Sequence, residues 1–222
     1  MTRLIVVRHG YSVANSKGLF SCMQDVPLTE LGIRQAQHVA RYLFESEKID
    51  KIYTSGMQRT IQTATPVAEL FGLPLHTERD LREIFAGLWE GAPIYKMHLL
   101  FPEDWGNWLY DFSKCRCTLG ESTRELYHRV SAAVRRIAEE NEGKTVLIAT
   151  HYTPLRMMLA MGEGLSAEQL HLTPESTNAS LSIFEYEEGT LKTLQSNLIV
   201  YPKSLLFTRT HPAPPKMPKY KR

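Results

Sequence analysis

Long apolar runs are missing from this 222-residue chain. None exceeds five residues, so no segment reads as a membrane-spanning helix. Cysteine is scarce: Cys22, Cys115 and Cys117 supply no disulfide framework, and Cys115-Arg116-Cys117 lacks the two further ligands of a zinc site. No metal is expected. A reducing, cytoplasmic setting is the simplest for such thiols, and a chain that opens on an apolar strand leaves no room for a signal peptide. Acid is absent from residues 203–222, where Lys203, Arg209, Lys216, Lys219, Lys221 and Arg222 stand among four prolines. Proline at that density continues neither a helix nor a central strand, so 201–222 is set apart as a basic tail and 1–200 as one domain. Without those six cations, 20 basic residues face 24 acidic ones, although the whole chain carries a net +2. A nucleic-acid partner is not expected. Oligomeric state is open: Trp105 and Trp108 are placed over a pocket or at a homodimer contact.

What is present is the pattern of an α/β domain. Hydrophobic residues make up 43% and charged residues 23%, enough for a substantial core. Strand signals at 3–8, 51–54, 73–77 and 145–150 alternate with helix signals at 29–46, from a cap at Ser55 to Phe71, and from Ser122 to near Gly143. Ser55 with Gln58, and Ser122 with Glu125, have the spacing of capping boxes. Thr153-Pro154 begins a further helix, with proline in its favoured first position. Residues 92–120 are irregular or hold short helices. Segments 181–186 and 191–195 read as a terminal hairpin. The expected architecture is a three-layer α/β/α fold with a mostly parallel central sheet and an antiparallel edge.

Three strand ends carry chemistry. Arg8-His9 follows the first strand, Arg59 lies in the first turn of the helix after the second, and His151 follows Val146–Thr150. In a parallel sheet all these ends lie on one rim, so residues 142 positions apart can converge. Two arginines, two histidines and a helix N-terminus suit a phosphoryl group. A facial triad of His9, His151 and Glu83 around iron ranks low, because two arginines would repel the cation. His38, His76, His98, His128, His171 and His211 are read as structural.

At this point the chain resembles the histidine phosphatase, or phosphoglycerate mutase-like, superfamily. The matching pieces are Arg8-His9-Gly10 with Ser12 and Asn15, Pro27 to Gly32 with Gln35-Ala36, and Ser55 to Arg59 with Thr63-Ala64. Leu81-Arg82-Glu83 with Gly87, Trp89-Glu90-Gly91, Gly120-Glu121-Ser122 and Thr150-His151 complete a set in family order over about 1–195. The resemblance implies a phosphohistidine at His9, with Arg8, Arg59 and His151 holding phosphoryl oxygens and Glu83 as proton donor. Asn15 and Ser122 would add hydrogen bonds, and no cofactor is implied. Its mutases usually carry Thr-Gly where this chain has Ser21-Cys22, two residues expected to touch the substrate, and Arg-His-Tyr where it has Ile84-Phe85-Ala86. The stretch from Gly91 to Gly120 is short and lacks their arginine cluster. A phosphatase acting on a small phosphorylated substrate is therefore expected. Mutase-type transfer and a phosphate-binding regulatory domain are the alternatives. Tyr11 and Tyr152 depart from the usual family residues and are expected to line the pocket, favouring a substrate with a planar or apolar group.

Overall fold

Leu4 and Val6 face one side of the first strand and Ile5 and Val7 the other, and all four are buried. A strand apolar on both faces needs cover on both, and a computed structural model, which describes residues 1–207, provides it. The elements run β1 (Thr2–Arg8), α1 (Val13–Lys17), α2 (Glu30–Ser46), β2 (Lys51–Thr54), α3 (Gln58–Phe71) and β3 (Leu75–Thr77). The short helices α4 (Met97–Leu100) and α5 (Pro102–Tyr110) follow, then α6 (Thr123–Glu140), β4 (Thr145–Thr150) and α7 (Tyr152–Gly162). The hairpin β5 (Leu181–Glu187) and β6 (Thr190–Leu198) ends the described strands.

The sheet order is β3-β2-β4-β1-β5-β6. The first four strands are mutually parallel, and β5 runs antiparallel to both β1 and β6. This is the mixed α/β sheet expected from the alternation. One face carries Ile5, Val7, Leu147 and Ala149 against α2 and α3; the other carries Leu4, Val6, Val146 and Ile148 against α6 and α7. The hairpin turns at Glu188-Gly189, both at positive φ (48° and 81°), which matches the twist of its strands.

Three local expectations change. Ser55 does not cap α3; Met57 occupies that position without a side-chain bond, and the Ser55 hydroxyl is used elsewhere. Pro154 sits third in α7, not first, because His151 is the N-cap. Of the stretch assigned to the tail, residues 201–207 lie against the domain. Tyr201 and Leu205 are buried, Tyr201 Oη donates to the Asn178 carbonyl at 2.6 Å, and Gln35 Nε2 donates to the Leu205 carbonyl at 2.8 Å. The remainder, 208–222, lies outside the described residues, His211 included.

Candidate active site

Strand register brings the three ends together. Arg8 pairs with Thr150 and Thr54 with Ala149, and the ladder runs one residue further through the His9 N–H to the Thr150 carbonyl (2.9 Å) and the Ser55 N–H to the Ala149 carbonyl (3.2 Å). His9, His151 and Ser55 therefore stand side by side at the rim. The His9 and His151 rings meet edge-on, centroids 5.3 Å apart.

Hydrogen bonds settle both tautomers. His9 Nδ1 lies 2.8 Å from the Gly10 carbonyl, which only accepts, so Nδ1 carries the proton and Nε2 keeps its lone pair. Arg59 Nε donates to His151 Nδ1 at 3.2 Å, so the His151 proton sits on Nε2 and is given to Ser55 Oγ at 2.8 Å. Burial, then the charges of Arg59 and Arg8, hold His9 well below its ordinary pKa of 6.5, against a smaller opposite pull from its bond to Gly10. His151 is lowered in the same way, by burial and then by Arg59. Two neutral imidazoles thus stand beside two cations.

Arg59 is almost wholly buried, with Nη1 on the Gln24 carbonyl (2.9 Å) and Nη2 on the Cys22 carbonyl (2.7 Å). Arg8 donates through Nη1 to the Ser176 carbonyl and lies over the Tyr152 ring, 4.8 Å from its centroid. Its Nε is buried with no hydrogen-bond partner among the described residues. Glu83 is buried, and its oxygens accept the N–H groups of Ile84 (2.8 Å) and Thr153 (3.2 Å), which ties it to the first turn of α7 beside His151. Arg129 on α6 braces its loop from outside, donating to the carbonyls of Asp80, Arg82 and Glu83 and pairing with Glu121 at 2.7 and 2.8 Å.

The structure brings Arg8, His9, Arg59, Glu83 and His151 together. Both ring nitrogens of His151 have partners within the protein, Arg59 Nε on one and Ser55 Oγ on the other. Asn15 adjoins His9 through Asn178, whose amide donates to the His9 carbonyl (3.0 Å) and to Asn15 Oδ1 (3.1 Å). The Ser21 hydroxyl is buried with no partner among the described residues. Cys22 serves the site through its backbone carbonyl, while burial pushes its thiol pKa up. Ser122 is the N-cap of α6, its hydroxyl taken by the Glu125 N–H at 3.2 Å. Tyr152 forms a wall under Arg8, whereas the Tyr11 ring stacks on Phe207, centroids 4.4 Å apart. Trp105 is buried and Trp108 half-buried, and both pack with Phe20 and Trp89. Among the described residues no cluster of His, Cys, Asp or Glu could hold a metal, and no helix is long and apolar enough to cross a membrane.

Sequence reasoning missed Ser55, whose hydroxyl joins the His151 proton to Thr60 Oγ1 at 2.9 Å. Its place directly after β2, at the rim, was the available signal; its capping-box spacing concealed it.

Known proteins are similar to this chain in sequence and fold. A family model described as the histidine phosphatase superfamily (branch 1) matches residues 4–198. Phosphoserine phosphatase 1 of Hydrogenobacter thermophilus is 31% identical over 198 residues, covering 89% of this chain and 93% of its own. A probable phosphoglycerate mutase GpmB of Yersinia pestis is 34% identical, covering 85% and 87%. Among solved structures, Bacillus stearothermophilus YhfR superposes with a TM-score of 0.84 at 29% identity, over 90% of this chain and 98% of that one. With the paired histidines at the rim, the two arginines beside them and a family match over nearly the whole described chain, the protein belongs to branch 1 of the histidine phosphatase superfamily.

Proposed function

We propose that this protein is a metal-independent phosphomonoester hydrolase that works through a phosphohistidine at His9 on a small phosphorylated substrate. The observation that carries the assignment is the tautomer of His9. The Gly10 carbonyl holds its Nδ1 proton, which leaves the Nε2 lone pair free beside two guanidinium groups and a buried carboxyl.

In the first step that lone pair attacks phosphorus while the ester P–O bond breaks. The leaving oxygen takes a proton from Glu83, which must enter the step protonated. Arg8 and Arg59 meet the charge on the equatorial oxygens, and the partnerless Nε of Arg8 offers a ready donor. His151, proton on Nε2, keeps Arg59 aimed and supports the His9 ring. In the second step Glu83, now a carboxylate, takes a proton from water. That water attacks phosphorus, the P–N bond breaks, and inorganic phosphate and neutral His9 are restored. Asn15 contributes a neutral polar contact at the edge.

Mutase-type transfer demands polar groups that keep and re-orient the substrate. Here Ile84 and Ala86 are buried apolar residues and Phe85 is exposed, so the segment after Glu83 supplies no side-chain polar contact. Water is then the better acceptor. A pure phosphate-binding domain has no use for Glu83 tied at both oxygens beside the imidazoles.

The test is phosphate release from an aryl phosphate without added metal, followed by a panel that includes phosphoserine and phosphoglycerates. The intact protein should turn over and form an acid-labile phosphohistidine, and His9→Ala should lose at least about 10³-fold in rate. Equal rates in both proteins would remove His9 as the nucleophile.

A further inference from the structure

Glu90 lies in Trp89-Glu90-Gly91, a motif with no part in the chemistry above. Its neighbours have ordinary duties: Trp89 is buried among aromatic rings, and Gly91, at φ 76°, turns the chain. The Glu90 carboxylate instead reaches across to a separate loop. Oε1 accepts the N–H groups of Cys22 (2.9 Å) and Gln24 (3.2 Å), and Oε2 that of Met23 (3.0 Å). Three successive backbone donors on one carboxylate hold that loop in a single conformation, because charge-assisted bonds are the strong ones.

The carbonyls of the same loop complete the pattern. Those of Cys22 and Gln24 take Nη2 and Nη1 of Arg59, and its Nε goes to His151. All three guanidinium nitrogens are therefore directed, two of them by the loop on which Glu90 closes. The Cys22–Met23 peptide group carries both bonds, its N–H on Glu90 and its C=O on Arg59, so the carboxylate also polarises that carbonyl toward the guanidinium. An arginine side chain otherwise loses much rotamer freedom when it is fixed, so a preset cradle strengthens its grip on an incoming phosphoryl group.

We propose that Glu90 is a positioning residue for phosphoryl transfer, presetting through the 22–24 loop the guanidinium of Arg59. The inference rests on the reading that Arg59 binds the phosphoryl group.

The experiment is a double-mutant cycle on the full chain, with inorganic phosphate as competitive inhibitor of aryl phosphate hydrolysis, comparing the parent protein, Glu90→Gln, Arg59→Ala and the double variant. Turnover and melting temperature are recorded in parallel. Glu90→Gln keeps the shape but turns an NH₂ group toward a backbone donor. It should weaken phosphate inhibition about tenfold, the effect of losing roughly one charge-assisted bond. In the Arg59→Ala background it should change phosphate inhibition less than twofold. A similar loss in both backgrounds would mean that Glu90 supports the fold at large, and no loss in the parent background would also overturn the inference. Both outcomes leave the Arg59→Ala defect standing. If Arg59→Ala itself leaves phosphate inhibition unchanged, the assignment of Arg59 fails and the inference with it. Should Glu90→Gln not fold, Glu90→Asp, which keeps the charge but draws it back by one methylene, enters the same cycle with the same expected pattern.

Discussion

At the scale of single residues, the site depends on keeping imidazoles neutral among cations. Burial and two guanidinium groups place His9 and His151 well below their ordinary 6.5. Two consequences carry opposite signs. For chemistry, His9 stays an unprotonated nucleophile in mildly acidic solution, so its carbon-bound proton signals should not titrate between pH 8 and 6. In Arg59→Ala its titration should rise toward neutrality; a free His9 titrating near 6.5 in the parent protein would contradict the electrostatic account. For stability, the unfolded chain takes up protons on these two residues as pH falls below about 6.5, while the folded chain does so only at lower pH. Unfolding free energy therefore declines from pH 6.5 downward through this pair, and the penalty is absent above it.

At the scale of elements, two features of α6 have different purposes. Ser122 closes a capping box with Glu125, so Ser122→Ala should lower stability by about 1 kcal/mol in urea unfolding. With its hydroxyl committed to the helix, KM should stay within about twofold of the parent; a larger rise would return Ser122 to the substrate. Arg129 holds the Glu83 loop at three carbonyls and pairs with Glu121, which in turn accepts the Phe85 N–H at 3.1 Å. Arg129→Ala should cost about 2 kcal/mol and lower kcat more than it raises KM, because it releases the proton donor and leaves the arginine cradle intact. A KM effect with unchanged kcat would place the brace elsewhere in the cycle. Gly87 and Gly120 explain how the chain at 85–87 lies so close to that at 118–120. A Cβ on Gly120 would come within 2.3 Å of the Phe85 carbonyl oxygen, and one on Gly87 within 2.2 Å of that of Thr118.

At the scale of the whole molecule, the end of the described chain returns to the active-site rim. Tyr201 bonds the Asn178 carbonyl, and the Asn178 amide holds the His9 carbonyl and Asn15. Tyr201→Ala should therefore cost about 3 kcal/mol in thermal or denaturant unfolding, as large-to-small core changes do. It should also slow turnover, whereas Tyr201→Phe should keep most of the packing. Equal stability of Tyr201→Ala and the parent would mean that this segment is only laid on the surface.

Much of this was legible in the residues. Runs apolar on both faces announce strands that must lie inside a covered sheet, and the alternation with helices orders them. The start of α6 at Ser122 and the terminal hairpin were readable because capping and turn chemistry is local. Convergence of Arg8, Arg59 and His151 followed from the rule that parallel strands end on one side. Tertiary structure alone decided what the side chains do there. Ser55 has the spacing of a cap, yet its hydroxyl takes the His151 proton, because the β2–β4 register brings it there. Cys22 reads as a substrate contact and acts through its carbonyl; Tyr11 reads as a pocket wall and stacks on Phe207. Tyr201 reads as tail and belongs to the core. Backbone conformation and capping follow from near neighbours in the chain. A hydrogen-bond partner 96 positions away, as between Ser55 and His151, is set only when the packed sheet fixes distance and direction together.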